Sequence, residues 1–167
     1  MITPDYVRTM AEYNAEMNRR LYAAADRVPD AERRLDRLAF WGSIHGTLNH
    51  LLWGDQMWMS RFDGWEKPAV VQKDSGGMVA EYEELKARRV EADARLQAWA
   101  AGVTSEWLAS DLVWFSGGAG KEMTRKRDIL VMHLFNHQTH HRGQAHALLT
   151  AAGQRVEATD LPWVIAS

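Results

Sequence analysis

Apolar residues recur every three or four positions along four stretches of the chain, and this period is typical of helices that bury one face. The first stretch follows Thr3 and Pro4, a helix-capping residue and a proline in the first turn, and it stops at Pro29. The pattern therefore predicts a first helix over residues 4–26. A second helix is predicted to begin after Ser43, whose hydroxyl can cap its amino terminus.

The second helix is apolar almost all round, which predicts that most of it is buried, and it is expected to end near Gly64. A loop with Pro68 and several small residues follows, and it is long enough to cross the molecule. Residues 78–101 are rich in Ala, Glu, Leu, Lys and Arg, and Gly102 stands where a C-cap glycine is common. They form the third predicted helix.

Two segments before the last helix flank a glycine-rich stretch. Because residues 112–115 and 122–124 are of types common in strands, either a short hairpin or a plain loop is expected there. The last helix is predicted over residues 126–152 and stops at Gly153. Four helices with a long central crossing predict an all-α fold, a four-helix bundle with a long central crossover, in a single domain over residues 1–167.

Composition narrows the chemistry that is available. The chain has no cysteine, so any metal ligand is expected to be His, Asp or Glu. The formal net charge is -2, with 20 basic and 22 acidic residues, which argues against binding to nucleic acid or to an anionic membrane surface. The amino terminus lacks the pattern of a signal peptide, and no apolar run approaches the roughly 18 residues of a membrane span, so a cytoplasmic protein is expected.

The last predicted helix carries the most informative spacing in the chain. His137 and His141 are four residues apart, so both rings project from the same face of the helix. They share an apolar stripe with Leu130, Leu134, Ala145 and Leu148. His133 lies at the margin of this stripe, and His140 and His146 lie away from it, so these three are predicted at the surface or around the ligands.

Two interpretations fit a pair of core-facing histidines. Each ring can be hydrogen-bonded separately, or one divalent cation can satisfy both neutral rings together. A third ligand would come from the second helix, where His45, His50 and Asp55 are of suitable type. Helical period leaves that choice open, because Asp55 lies nearest the main apolar stripe while His50 lies on a second face. Asp55 is also a candidate general base, and Arg142 and Gln144 are candidates for orienting substrate or water near the ligands, although plainer structural roles fit all three.

Three segments of the sequence resemble the DinB family, within the broader DinB/YfiT-like superfamily of bacterial metalloenzymes. The first segment is residues 42–52, followed by Asp55 and Trp58. The second is residues 133–144, which include the two histidines spaced four apart, and the third is residues 159–163 near the carboxyl end. The resemblance extends over essentially the whole chain.

The resemblance implies a four-helix bundle in which one histidine of the second helix and a pair from the last helix bind a divalent metal ion. Carried over to this sequence, the implied ligands are His50, His137 and His141, with one ion per chain, Zn or Ni, and a homodimeric assembly. The resemblance assigns no catalytic side chain.

Three neutral imidazoles leave at least one coordination position open, as in catalytic metal sites. Together with the resemblance, this predicts a metal-dependent enzyme with a small-molecule substrate, a thiol S-transferase that uses bacillithiol, mycothiol or glutathione. The alternatives are a metal-dependent hydrolase and a non-catalytic metal-binding protein of the stress response. The eight tryptophans favour core and dimer contacts over an aromatic substrate pocket.

Overall fold

The computed structural model describes residues 1–165, and it is mostly helical with one two-stranded antiparallel sheet. Its α-helices are α1 (Pro4–Ala25), α2 (Asp30–Arg34), α3 (Ile44–Phe62), α4 (Tyr82–Gly102), α5 (Ser105–Ala109), α6 (Arg127–Ala151) and α7 (Leu161–Val164). A 3₁₀ helix spans Gln72–Gly77, and the strands are β1 (Asp111–Ser116) and β2 (Lys121–Lys126). The mostly helical fold class predicted from the sequence is confirmed.

Four long helices, α1, α3, α4 and α6, enclose the apolar core. Helix α1 packs against α4 and α6, and α3 packs against the same two helices. The 3₁₀ helix lies in the connection between α3 and α4 and packs on α3. This arrangement places the face of α3 that carries His50 next to α6. None of the helices among residues 1–165 is both long and apolar enough to cross a bilayer.

The predicted caps of the first two long helices are confirmed. The Thr3 hydroxyl accepts a hydrogen bond from the Tyr6 amide at 3.2 Å, and the Ser43 hydroxyl accepts one from the Gly46 amide at 3.0 Å. The third long helix begins later than predicted, at Tyr82 instead of residue 78. Its expected first turn is extended because the Val79 amide donates to the Asn49 side chain of α3 at 2.8 Å.

The two strands form the hairpin that was one of two expectations for this segment. They pair antiparallel, with Trp114 opposite Met123. Leu112 is buried and Trp114 half-buried, whereas Val113 and Phe115 are 54% and 69% exposed. Because side chains alternate across a strand, the face that carries Trp114 lies against the helices and the other face lies toward solvent.

A short loop between α2 and α3 approaches α3 closely. A Cβ atom at Gly46 would lie only 2.2 Å from the Trp41 carbonyl oxygen, so this contact requires glycine. In the same loop Leu38 has φ 56° and is 93% exposed, and Phe40 is 75% exposed. A leucine in the left-handed region stores roughly 1–2 kcal/mol of backbone strain. The loop therefore holds Trp41 against α3 at some conformational cost.

A network of ionised side chains crosses the core. The guanidinium of Arg89 on α4 lies 2.7 Å from the Asp55 carboxylate on α3 and 2.9 Å from that of Asp93. The Asn18 amide on α1 donates to Asp93 at 2.9 Å. We call these four residues the ion network. Asp55 is fully buried, and Arg89 is 2% exposed.

Candidate metal centre

Three histidines converge between α3 and α6. His50 is on α3, and His137 and His141 stand one turn apart on α6. One ring nitrogen from each can be chosen so that all three lie within 4.8 Å of one another, and such a group could hold a metal ion. His50 is fully buried, His141 is 7% exposed, and His137 is half-buried. The structure thus brings together the three residues that the family resemblance implied as ligands.

The separation of the rings suits a shared ion. The Nε2 atoms of His50 and His137 are 3.1 Å apart. Two imidazole ligands that each lie about 2.0–2.1 Å from a tetrahedral Zn²⁺ ion have nitrogens about 3.3–3.4 Å apart. The ring centroid of His141 lies 4.5 Å from both of the other rings. The donor set therefore fits a small divalent cation without rearrangement of the helices.

Hydrogen bonds from neighbouring side chains orient two of the three rings. His50 Nδ1 lies 2.8 Å from the Ser75 hydroxyl of the 3₁₀ helix, and His141 Nδ1 lies 2.7 Å from the Gln144 amide oxygen. An amide oxygen only accepts hydrogen bonds, so the proton of His141 is on Nδ1 and its Nε2 lone pair is free. The Gln144 amide nitrogen lies 3.2 Å from His140 Nε2, which is consistent with this orientation. Such contacts are typical around metal-binding histidines.

The ring of His137 packs against Gly54, a residue of the facing helix that has no side chain. A Cβ atom at Gly54 would lie 2.8 Å from His137 Cε1, so glycine provides the room that the ring occupies. His137 Nδ1 is buried and has no hydrogen-bond partner among the described residues. Its Nε2 atom faces the Nε2 atom of His50. A cation would accept the lone pairs of both Nε2 atoms, which otherwise face each other.

Two indole rings enclose His50. The Trp41 ring stacks on it at 3.8 Å with an interplanar angle of 19°, and the Trp53 ring stacks at 5.7 Å and 18°. Trp41 comes from the strained loop, and its buried indole N–H has no hydrogen-bond partner among the described residues. The indoles restrict the plane of the His50 ring, and the side chain is shielded from water.

Burial keeps the three imidazoles neutral. It lowers the pKa of His50 and of His137 to about 3, and repulsion from the neighbouring histidines adds to the shift. Burial also lowers the pKa of His141, while the hydrogen bond to Gln144 opposes that shift. Neutral rings at pH 7 are the protonation state that metal binding needs.

The other candidate residues lie outside this cluster. His45 is buried and its Nε2 lies 3.0 Å from the Val79 carbonyl oxygen, and Asp55 pairs with Arg89 in the ion network, so neither joins the three histidines. His133 and His140 are exposed, in agreement with their predicted positions. Arg142, the remaining candidate from the sequence, is buried and donates hydrogen bonds to polar side chains of α1 and α6.

Sequence reasoning missed the contact of Ser75 with His50 and the stacking of Trp41 on the same ring. Ser75 is 25 residues from His50 in a glycine-rich segment that carries no periodic signal, and it is brought to α3 by tertiary packing. Trp41 is close to the capping Ser43 in sequence, but the turn that folds its ring back onto His50 depends on the contact with Gly46. Only the glycine at position 46 hinted at a close backbone approach.

Comparison with known proteins gives one match. A sequence model of the DinB family matches residues 1–167, the whole chain. No curated protein and no solved structure was found to match it. Taken with the convergence of one α3 histidine and two α6 histidines, this match shows that the chain belongs to the DinB family.

Proposed function

We propose that this protein is a metal-dependent enzyme that binds one divalent ion, Zn or Ni, through His50, His137 and His141. The observation that carries the proposal is the convergence of three neutral imidazoles from two helices. The four long helices would form a four-helix bundle in a single domain, with the segment between α3 and α4 as its long crossover.

An ion in this cluster would keep its full charge and an open coordination position. No carboxylate joins the three histidines among the described residues. When bound, such an ion supplies Lewis acidity, which lowers the pKa of a thiol or of water at the open position. Closed structural sites usually have four protein ligands, so a three-ligand cluster favours a catalytic role.

The reaction that we propose is the transfer of a low-molecular-weight thiol, of the bacillithiol, mycothiol or glutathione type, to an electrophile. The thiol releases its proton to solvent, and its sulfur forms a bond to the electrophilic carbon. With a chloroaromatic acceptor the carbon–chlorine bond breaks and chloride leaves; with an epoxide a carbon–oxygen bond breaks and the oxygen takes up a proton from solvent. The protein's own contribution is to orient the imidazoles through Ser75 and Gln144 and to keep water from His50 with Trp41 and Trp53. Association as a homodimer is part of the proposal.

Metal analysis of single-histidine variants tests the ligand set. We expect His50→Ala, His137→Ala and His141→Ala each to lose the bound metal after dialysis, because each removes one of three donors. His146→Ala is the matched control, since it removes a histidine of α6 outside the cluster. The cobalt-substituted protein should show an absorption spectrum typical of low coordination number. Retention of metal by all three variants would contradict the ligand set.

A transferase assay tests the reaction. The metal-loaded protein should couple a low-molecular-weight thiol to a chloroaromatic or an epoxide acceptor, and His137→Ala should not. The cobalt protein should also gain a sulfur-to-metal charge-transfer band when the thiol is added. If metal raises the melting temperature but no thiol, water or other exogenous ligand exchanges at the ion, the metal has a purely structural role and the enzyme proposal fails.

A further inference from the structure

Arg61 lies on the last turn of α3 and is half-buried without a counter-ion. Among residues 1–165, no carboxylate lies within ion-pair distance of its guanidinium and none of its N–H groups donates a hydrogen bond to the protein. Its guanidinium carbon lies 4.5 Å over the ring of Trp58 and 5.8 Å from that of Trp114. Burial lowers the pKa of Arg61 below its ordinary value. A partly desolvated cation of this kind gains free energy when an anion binds to it.

The acidic residues near Arg61 in sequence, or on the elements that pack against it, have other partners or point toward solvent. Asp63 accepts a hydrogen bond from an indole N–H at 2.9 Å, and Asp128 pairs with the amino terminus at 3.2 Å. Glu122 stands opposite Phe115 in the hairpin, on the face that lies toward solvent. The guanidinium of Arg61 therefore keeps its unneutralised charge on the side of the hairpin that packs against the helices.

A chain of side-chain contacts joins Arg61 to the three histidines. The Trp58 ring, which Arg61 covers, lies 5.1 Å from the ring of His133. His133 is exposed and lies 5.9 Å from the ring of His137, one turn further along α6. Arg61 and the three-histidine centre thus lie at the two ends of one row of side chains, formed by Trp58 and His133.

We propose that Arg61 binds the anionic group, a carboxylate or a phosphate, of the small molecule whose reactive end enters the three-histidine centre. This inference rests on the proposed function, since it assigns a second recognition point to the same substrate. Trp58 and Trp114 hold the planar guanidinium by stacking, which leaves its N–H groups for the two oxygens of the anion.

Arg95 also lies over an indole ring but is exposed to solvent, so it serves as the matched control. Its guanidinium carbon lies 4.1 Å over the Trp65 ring, but the side chain is exposed. Arg95→Gln therefore removes a cation–π contact of the same kind at a site that water already solvates.

Thiols of graded length test the proposal on the cobalt-loaded protein. We would titrate ω-mercaptoalkanoic acids and the matching ω-mercaptoalcohols and follow the sulfur-to-cobalt absorption band. At one chain length the acid should bind about tenfold more tightly than the alcohol, since a charge-assisted hydrogen bond supplies that preference. Arg61→Gln should abolish the preference, Arg61→Lys should keep part of it, and Arg95→Gln should leave it unchanged. Equal binding of acid and alcohol at every length would overturn the inference.

A second titration separates the anion site from the thiol chemistry. Hexanoate, hexyl phosphate and hexanol would be added to the zinc-loaded protein and to its Arg61→Gln variant, with tryptophan fluorescence as the signal. We expect a saturable change with hexanoate or hexyl phosphate that the variant loses, and the better of the two identifies the anion. If this change occurs although no thiol binds cobalt, the thiol transferase proposal fails and the anion site stands. If neither anion differs from hexanol, the anion site fails whatever the thiols do.

Discussion

Two groups of polar side chains are buried among the four long helices, and their charges are arranged in opposite ways. In the ion network, one guanidinium lies 2.7 and 2.9 Å from two carboxylates, and Asn18 adds a hydrogen bond to one of them. In the histidine cluster, three neutral rings direct nitrogens toward one another, and two Nε2 atoms lie 3.1 Å apart with no charge between them.

The difference separates a structural role from a binding role. In the ion network a cation lies between the two carboxylates, so charge attraction inside the network joins α1, α3 and α4 without a ligand. In the histidine cluster the two facing Nε2 atoms can share a hydrogen bond only if one of them carries a proton, whereas a cation can accept both lone pairs at once. Burial and polarity alone do not distinguish the two regions; the balance of donors and acceptors inside each region does.

The largest expected effect on stability comes from removing the arginine of the ion network. Arg89→Ala should lower the free energy of unfolding by about 3–5 kcal/mol, because it leaves two buried carboxylates without a cation. Urea unfolding at pH 7 measures the change. Arg88→Ala is the control, since its pair with Glu84 is half exposed and its loss should change stability by less than about 0.5 kcal/mol. Similar values for the two variants would contradict the structural role of the network.

Adding metal should stabilise the protein through the histidine cluster alone. At a free metal concentration of 100 times Kd, linkage predicts about 2.7 kcal/mol of added stability. His137→Ala should lose this increment, whereas Asp93→Asn, which alters the ion network, should keep it. Melting temperatures with and without metal test both expectations. An equal metal response in the His137 variant and the wild type would place the ion elsewhere.

The side chains that orient the rings should have a smaller effect. Ser75→Ala and Gln144→Ala should each weaken metal binding by 10–100-fold, about 1.4–2.7 kcal/mol, because His50 and His141 lose the hydrogen bonds that fix them. Competition with a chromophoric chelator gives the affinities. Ser60→Ala is the control, since within residues 1–165 the Ser60 hydroxyl bonds only to the Met57 carbonyl of its own helix. Unchanged affinity in both variants would show that packing alone positions the rings.

The two regions should also give the metal-free protein opposite responses to pH. Burial lowers the pKa of His50 from 6.5 to about 3, so the unfolded chain takes up a proton first and stability falls as the pH drops through this range. Burial raises the pKa of Asp93 from 3.8 to about 6, so stability is fully present below pH 3.8 and is lost as the pH rises toward 6.

Each group contributes a slope of at most about 1.4 kcal/mol per pH unit. Unfolding of metal-free variants at several pH values between 4 and 6 separates the two contributions. Asp93→Asn should make stability rise more steeply with pH, and His50→Ala should make it rise less steeply. A wild-type slope that neither substitution changes would show that other groups control the acid response.

The long helices and their caps could be read from the sequence because they depend on local signals. The predicted bounds of α1 and α3 are close to those observed, because they rest on the apolar period and on Thr3, Pro29 and Ser43. The shorter elements, α2, the 3₁₀ helix and α5, were missed since they lack a periodic apolar face and are held by contacts with the long helices. The late start of α4 had the same origin, in the bond between Asn49 and Val79.

For the site, the sequence determined the pair on α6 but not its partner on α3. Spacing places His137 and His141 on one face, whereas helical period alone did not separate His50 from Asp55, because nearly every face of α3 is buried. What separates them is Arg89, a residue of another helix that pairs with Asp55. A cation partner 34 residues away leaves no local trace in the chain, so only the family resemblance pointed to His50.

The glycine at position 54 makes the histidine cluster sensitive to a change that removes no ligand. A methyl group there would lie 2.8 Å from Cε1 of the His137 imidazole, so the ring or the facing helix would have to shift. Alanine would thus disturb the position of a ligand ring while every coordinating atom stayed in the sequence. A comparison of ligand residues alone would miss this effect, because the facing surface of α3 positions the ring whose nitrogen is the ligand.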